Sequence, residues 1–391
     1  MFGAIYVGLS GLQAYSEGLQ KVSNNVSNLN STGFKSSAVS FSNLQSTRDT
    51  GGLGLRDGAA GSGGGVSLDA TMLDMKAGEL RQTGRDLDLA IDGTGLLVLL
   101  KGKDVRYTRT GSFDIDKDGY VTLSGTEWRL GVLDGAGRAV PVSVDPWRTD
   151  APAVTTRVVF ADNLSSTATT YAINDVAVYD AGGEKHVWQL AFTRTENTND
   201  WKVAVTDDKG TAIGEQVLRF ANGDPTAETA RLTFADADHG LSVEFDFSAN
   251  VKSFSSGTVS TLRTASVDGH AVGTITTLAV NAEGELEIGY SNDEKRQLGA
   301  VALAAFRDTQ ALVQESSGLF TAEGNAQVEL LASADPRVGL VKSQRLEASN
   351  VDLSKEFGEL ILIQRGYQAS SQIISVSNDM IQQLFGIRGQ G

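Results

Sequence analysis

The sequence predicts an α+β fold that is mainly β, with N- and C-terminal helices paired as a coiled coil and two β-rich domains inserted between them. Seven-residue apolar repeats occur at the two ends of the 391-residue chain and indicate helices. The middle consists of short alternating segments, and the chain has 44 glycines but only 5 prolines. That combination is typical of strands joined by tight turns.

Apolar repeats at both ends predict helices with a coiled-coil seam. Near the start, two apolar series interleave with spacings of three and four residues, formed by Ile5, Leu12, Leu19 and Val26 and by Tyr15, Val22 and Leu29. Near the end, a second seven-residue series is formed by Leu360, Tyr367, Ile374 and Ile381, with Ile363 and Leu384 on the same face. Helices with this spacing bury one stripe against a partner helix.

The polar faces of these two helices carry few charges. The first 29 residues include only Glu17 and Lys21 as charged side chains, and residues 366–387 include only Asp379. A solvated surface helix normally carries many Lys and Glu residues, so both helices are suited to burial among other helices. Two interpretations stay open, and they are compatible: one pair of helices within the chain, or contacts between chains of a polymer.

Strand patterns fill the region between the helices. Leu241, Val243, Phe245 and Phe247 alternate with polar residues, which predicts a half-buried strand. Glycine clusters near residues 51–65 indicate a connector. We predict the following domains: a terminal helical assembly domain (1–30 and 355–391), a Gly-rich connector (31–65), an inner β-rich domain (66–144 and 275–354) and an outer β-rich domain (145–274).

A hairpin is predicted around the turn Asp116–Gly119. The acidic side chains Asp114, Asp116 and Asp118 match the start of a calcium loop, but such a loop needs a bidentate Glu at its twelfth position. That position is Gly125. We therefore predict a structural turn that does not bind calcium.

Composition and motifs argue against several classes of function. The net charge is −15, which disfavours nucleic acid and anionic lipid as partners. There are no cysteines, the chain start lacks a secretory signal, and no apolar run is long enough to insert into a membrane. Nucleophile-elbow and phosphate-loop motifs are missing from the sequence. Three histidines are too far apart in sequence for a local metal motif and are expected on the surface or in loops: His186, His239 and His270. The sequence thus predicts a chain that is not an enzyme and has no cofactor or metal.

Motifs at both ends resemble those of the flagellar axial rod and hook family. The first motif contains Asn24, Asn25, Asn28, Gly33, Phe34 and Lys35. The second contains Ser349, Asn350, Val351 and Asp352. Between them, residues 87–91, 106–113 and 118–120 resemble the β-domain of the family. The insert at 176–183, followed by His186 and Trp188, is similar to the outer domain of hook members, so hook is favoured over distal rod.

The resemblance implies a structural subunit that forms a helical homopolymer, a flexible joint that transmits torque from rod to filament. It implies contacts with the distal rod, hook cap and hook–filament junction proteins, and passage through the flagellar type III export apparatus to the outside of the cell without a cleaved signal peptide. The alternative within the family is a distal rod protein. The alternative from another class is a secreted β-sandwich binding module.

Overall fold

A computed structural model describes residues 2–45, 63–69, 72–195, 200–322, 324 and 327–388. The chain forms two compact units. Unit 1 comprises Met1–Asp145, Leu278–Glu287 and Gln297–Gly391, and unit 2 comprises Pro146–Thr277 and Ile288–Arg296. The predicted domain boundaries stay a prediction.

Unit 1 contains both long helices, α1 (Phe2–Ser27) and α2 (Leu353–Arg388). Gly33 has a φ of 69° in the turn that follows α1, a conformation that glycine adopts without a Cβ penalty. Asp352 begins α2, because its Oδ1 accepts hydrogen bonds from the backbone N–H groups of Ser354 and Lys355. Neither helix, over its described residues, is long and apolar enough to cross a membrane.

The first strands of unit 1 precede residue 145. They are β1 (Ser37–Ala38), β2 (Phe41–Gln45), β3 (Gly63–Leu68), β4 (Met72–Leu73), β5 (Leu80–Gln82), β6 (Asp88–Asp92), β7 (Leu96–Lys101), β8 (Asp104–Thr108), β9 (Thr110–Ile115), β10 (Val121–Leu123), β11 (Arg129–Leu133) and β12 (Ala139–Pro141). Strands β9 and β10 pair antiparallel, with Asp114 opposite Thr122. The predicted hairpin is thereby confirmed.

Unit 2 is a sandwich of two sheets. Its strands are β13 (Thr149–Asp150), β14 (Arg157–Asn163), β15 (Thr170–Tyr179), β16 (Lys185–Arg194), β17 (Asp200–Thr206), β18 (Ala212–Ala221), β19 (Asp224–Pro225), β20 (Arg231–Asp236), β21 (Leu241–Lys252) and β22 (Arg263–Val267). The sheet β15-β16-β17-β18-β19 shares one apolar core with the sheet β20-β21-β14-β22. The alternating side chains of β21 at 241, 243, 245 and 247 are buried in that core, which confirms the predicted strand.

The remaining strands largely complete unit 1. They are β23 (Gly273–Val280), β24 (Glu285–Tyr290), β25 (Lys295–Ala300), β26 (Ala302–Phe306), β27 (Leu312–Gln314), β28 (Leu319–Ala322), β29 (Val328–Ala332), β30 (Leu340–Lys342) and β31 (Arg345–Glu347). The main sheet runs β27-β28-β8-β7-β11-β10-β9-β6-β30, with β12, β26 and β29 attached. Three short 3-10 turns accompany the strands: Asp145–Trp147, Thr309–Ala311 and Ser316–Gly318.

Candidate assembly site

The two terminal helices pack against each other in opposite directions along a line of small residues. A Cβ added at Gly8 would lie 2.7 Å from Cγ1 of Ile374, and one added at Gly11 would lie 2.5 Å from Oγ of Ser370. Residues later in α1 therefore contact residues earlier in α2, so the two helices are antiparallel. The glycines let the two backbones approach closely, because any side chain at these positions would meet α2.

The predicted apolar series of α1 lies beside this contact line. Val22 is fully buried, whereas Leu19 is 36% exposed. The other predicted residues of α1 are half-buried: Ile5, Leu12, Tyr15 and Val26. Leu29 is also half-buried but lies in the turn that follows α1, so the helix ends earlier than its periodicity predicted. The residues of α1 that contact α2 are Gly8, Gly11, Tyr15, Gly18 and Asn25. The contact therefore combines glycines, which the prediction did not include, with Tyr15, which it did.

The predicted series of α2 is likewise only partly buried. Ile363 is buried, but Tyr367 is 45% exposed, and the side chain of Leu384 lies outside the described residues. Three more members of the prediction are half-buried: Leu360, Ile374 and Ile381. A seven-residue series with polar members is buried instead: Glu356, Ile363, Ser370 and Ser377. Ser370 and Ser377 recur at this seven-residue spacing, which could have indicated the buried side of α2, but a search for apolar residues alone did not include them.

Several large apolar side chains of α1 and α2 remain exposed in the single chain. On α1, Tyr6 is 65% and Leu9 is 56% exposed. On α2, six of the exposed apolar side chains form a set that we call the outer apolar face: Phe357, Ile361, Leu362, Ile373, Val376 and Met380. Leu362 is the most exposed of them, at 68%. Ile373, Val376 and Met380 recur at helical spacing and share one side of α2, and exposed apolar clusters of this kind mark interaction sites.

Gly366 of α2 accommodates an aromatic ring from α1. A Cβ at Gly366 would lie 2.4–2.8 Å from three ring atoms of Tyr15. The same ring contacts Phe41 with a centroid distance of 5.1 Å. Tyr15 thus packs between α2 and strand β2.

We expect Gly366→Ala to destabilise the helix pair. Alanine gains about 1 kcal/mol of helix propensity over glycine, but overpacking a closed contact costs about 1–3 kcal/mol. Gly358→Ala on the same helix is the matched control, because a Cβ there meets nothing within 4 Å. Thermal unfolding followed by the helical circular-dichroism signal should show a lower midpoint for Gly366→Ala and a higher one for Gly358→Ala. Equal midpoints would contradict the packing argument.

Asn25 connects the two helices and the following loop. Its Nδ2 donates to Oε1 of Glu356 at 3.0 Å and to the carbonyl of Ser37, and its Oδ1 accepts from the N–H of Ser37. Asn25 and Glu356 are both buried, and the second carboxylate oxygen of Glu356, Oε2, has no hydrogen-bond partner among the described residues. Burial raises the pKa of Glu356 above its ordinary value of 4.5, an effect opposed by the hydrogen bond from Asn25.

The raised pKa predicts that the Glu356 carboxylate destabilises the helix pair at neutral pH. A carboxyl whose folded-state pKa lies above its unfolded value contributes stability below about pH 4.5, and this contribution is lost as pH rises through the folded-state pKa. Glu356→Gln should therefore reduce the stability difference between pH 4 and pH 7. Denaturant unfolding at both pH values measures it, with Glu359→Gln as the control. An unchanged pH dependence in Glu356→Gln would refute the prediction.

Asn350 joins the start of α2 to the segment after α1. Its Oδ1 accepts from the N–H of Ser36 at 2.8 Å, and its Nδ2 donates to the carbonyls of Asp74 and Lys76. This amide therefore joins its own segment to two other backbone segments of unit 1, at Ser36 and at Asp74–Lys76. This geometry explains why an Asn occupies the position, since both a donor and an acceptor are needed.

A buried ion cluster lies beside these amides and consists of Lys35, Arg109 and Glu347. Nζ of Lys35 lies 2.5 Å from Oε1 of Glu347, and Nε of Arg109 lies 3.0 Å from Oε2. All three side chains are at most 1% exposed. Burial lowers the pKa of Lys35, an effect opposed by the carboxylate of Glu347.

Backbone groups complete the cluster. Nζ of Lys35 also donates to the carbonyl of Lys76, and Oε1 of Glu347 accepts from the N–H of Gly78. Arg109 donates to three carbonyls, those of Ile91, Gly93 and Gly95. The cluster ties the N-terminal and C-terminal segments to the main sheet.

The other predicted motif residues lie around the same region. The N–H of Gly33 donates to the carbonyl of Glu347 at 2.8 Å, while Asn28 bonds Asn24 on the exposed side of α1. Phe34 is half-buried, Val351 is buried, and Oγ of Ser349 accepts from the N–H of Val351. The motif therefore reflects a junction in unit 1. Sequence reasoning missed Arg109 and Glu347 as partners of Lys35, although Arg109 lies within residues 106–113, a segment that resembles the family.

The acidic run of the β9–β10 hairpin is engaged in local hydrogen bonds. Oδ1 of Asp116 accepts from the N–H groups of Asp118 and Tyr120, and Asp114 pairs with Arg85 at 2.7 Å. These bonds account for a structural turn. The absence of calcium binding at this turn stays a prediction.

Comparisons with known proteins agree with this layout. Residues 5–35 match the family model "Flagella basal body rod protein", residues 147–323 match "Flagellar basal body protein FlaE D2 domain", and residues 342–387 match "Flagellar basal body rod FlgEFG protein C-terminal". Full-length relatives include the flagellar hook proteins FlgE of Borreliella burgdorferi (25% identical, 99% of this chain, 100% of the relative) and Escherichia coli (28% identical, 97% of this chain, 98% of the relative).

The chain belongs to the flagellar hook protein family. A solved structure of the Helicobacter pylori flagellar hook protein FlgE2 resembles its fold with a TM-score of 0.50 at 14% identity, over 68% of this chain and all of that chain. Lys35 and Glu347 lie in the first and last segments that match the family models. The ion cluster of this hook-family chain thus joins its two terminal family segments.

Proposed function

We propose that this chain is a structural subunit of the bacterial flagellar hook and polymerises through its terminal helices into a flexible tube that transmits torque from rod to filament. The observation that carries the proposal is the outer apolar face of α2. Six large side chains there are 39–68% exposed in the single chain. Family membership supports the hook as the site of assembly.

The outer apolar face is a suitable contact for further copies of the chain. Burying a fully exposed Leu, Ile, Phe or Met side chain stabilises a contact by about 1.5–3 kcal/mol. The side chains of this face are only partly exposed, so each contributes proportionally less. Few charges need to be desolvated around Ile373, Val376 and Met380, because Asp379 is the only charged residue between 366 and 387. Helices of several subunits would then pack as coiled coils around a common axis.

Torque transmission requires a firm connection between the helices and the β-rich part of each subunit. The ion cluster and the amides of Asn25 and Asn350 supply such a connection within unit 1. A buried cluster whose polar atoms are nearly all hydrogen-bonded has one favoured geometry. Bending would then come from movement between neighbouring subunits.

The proposed location is the hook, outside the cell. Hook-family membership supports the distal rod, hook cap and hook–filament junction proteins as neighbours, and the flagellar type III apparatus as the export route. The proposed role involves neither chemistry nor a cofactor.

Electron microscopy of the concentrated full-length protein tests assembly. Hook function predicts tubes or curved filaments, whereas a secreted binding module predicts monomers only. Deletion of the gene from its host tests the place of assembly. Cells that build rods but lack hooks would support the proposal, and cells with incomplete rods would support a distal rod protein instead.

A further inference from the structure

Two turns of unit 2, one from each sheet, bring ionisable side chains together. The β15–β16 turn contains Asp180 and Glu184, and His186 follows on β16. The β20–β21 turn contributes His239 and Asp236. The rings of His186 and His239 are 4.1 Å apart between centroids, although 53 positions separate them in sequence. The histidines were expected on the surface or in loops, but His186 is half-buried on strand β16.

Three of these residues point ligand atoms at a common space. One side-chain atom from each of Asp180, Glu184 and His186 lies within 4.8 Å of the other two. Oδ1 of Asp180 accepts from the N–H groups of Gly182 and Glu184, at 2.8 and 2.9 Å. The turn thereby fixes the carboxylate and leaves Oδ2 directed at Nε2 of His186, 3.3 Å away.

That separation matches the geometry of a tetrahedral metal centre. Zn²⁺ binds imidazole nitrogen and carboxylate oxygen at about 2.0–2.2 Å, so neighbouring ligand atoms of a tetrahedron lie about 3.4 Å apart. The observed 3.3 Å lies close to this edge length. The same two atoms are within hydrogen-bond distance of each other, so a bound ion would take the place of that hydrogen bond. We propose that Asp180, Glu184 and His186 bind a divalent transition-metal ion of the Zn²⁺ class, with the fourth position open to water.

The donor set selects the class of ion. An imidazole suits Zn²⁺, Ni²⁺ and Cu²⁺, whereas Ca²⁺ and Mg²⁺ prefer oxygen ligands in larger number. Two carboxylates and one neutral imidazole also balance the charge of a divalent cation.

His239 borders the site but is not among its three ligands. Its Nδ1 lies 2.8 Å from Oδ2 of Asp236, and its ring contacts that of His186 with a centroid distance of 4.1 Å.

Titration calorimetry of the full chain with ZnCl₂ at pH 7.5 tests the site. We expect one saturable ion per chain, and no binding of MgCl₂ at the same concentrations. Asp180→Asn keeps the oxygen that caps the turn but loses the charge, and His186→Ala removes the nitrogen ligand. Each should weaken zinc binding by at least about tenfold, the lower range seen when even a supporting residue is lost.

His270→Ala is the matched control. His270 is a similarly half-buried imidazole of unit 2, 3.6 Å from a carboxylate oxygen of Asp150. Its replacement should leave zinc affinity within about twofold, since it supplies no ligand. Circular dichroism without metal checks that the variants fold, and Asp180→Asn keeps the test decisive if His186→Ala does not. Absence of saturable binding, or equal affinity in wild type and Asp180→Asn, overturns the proposal. This test does not depend on hook function.

Discussion

Glu347→Ala is expected to destabilise unit 1 by about 3–5 kcal/mol, the cost of removing one partner from a buried ion pair. The substitution leaves Lys35 and Arg109 facing each other with at most 1% exposure and without a counter-charge. It also removes the acceptor for the N–H of Gly78. Denaturant unfolding of the monomer, followed by circular dichroism, measures the loss.

Glu329→Ala is the control for the loss of a carboxylate elsewhere in unit 1. Glu329 lies 2.8 Å from Arg337, but both side chains are more than half exposed. A surface ion pair of this kind contributes about 0–1 kcal/mol, so the control should be nearly neutral. If Glu347→Ala lost no more stability than Glu329→Ala, the ion cluster would not be what holds the terminal segments to the sheet.

Leu362→Asp combined with Ile373→Asp is expected to abolish polymer formation. Both residues belong to the outer apolar face, at 68% and 43% exposure. In the single chain the new carboxylates stay hydrated, so monomer unfolding should change by about 0.5 kcal/mol or less, as for other surface substitutions. In a polymer each subunit would have to bury two unpaired charges, at several kcal/mol per ion. Sedimentation of assembled protein, together with the monomer melting temperature, gives both readouts.

Two further variants locate the contact surface. Ser375→Asp, an exposed polar position of the same helix, should reduce assembly less. Ile374→Asp should harm the monomer as well, because Ile374 packs on Gly8 between the two helices. Normal assembly by the double variant would show that the outer apolar face is not the polymer contact.

The sequence by itself determined the elements that depend on neighbours along the chain. The Asp-rich turn before Gly119 encodes the β9–β10 hairpin, and alternation from Leu241 to Phe247 encodes a strand. Seven-residue repeats located both terminal helices. Periodicity and turn chemistry act over a few residues, so they can be interpreted without knowing what those residues contact.

Only the tertiary structure decided which surfaces meet. Lys35, Arg109 and Glu347 come from three distant segments, and their burial makes them a mutually neutralising cluster that no local pattern encodes. Gly8 and Gly11 lie at the helix contact because two backbones approach there, and apolar periodicity does not encode that distance. His186 and His239 meet because two sheets stack face to face. Burial and ion pairing depend on distances in space, and the fold sets these between residues that are remote along the chain.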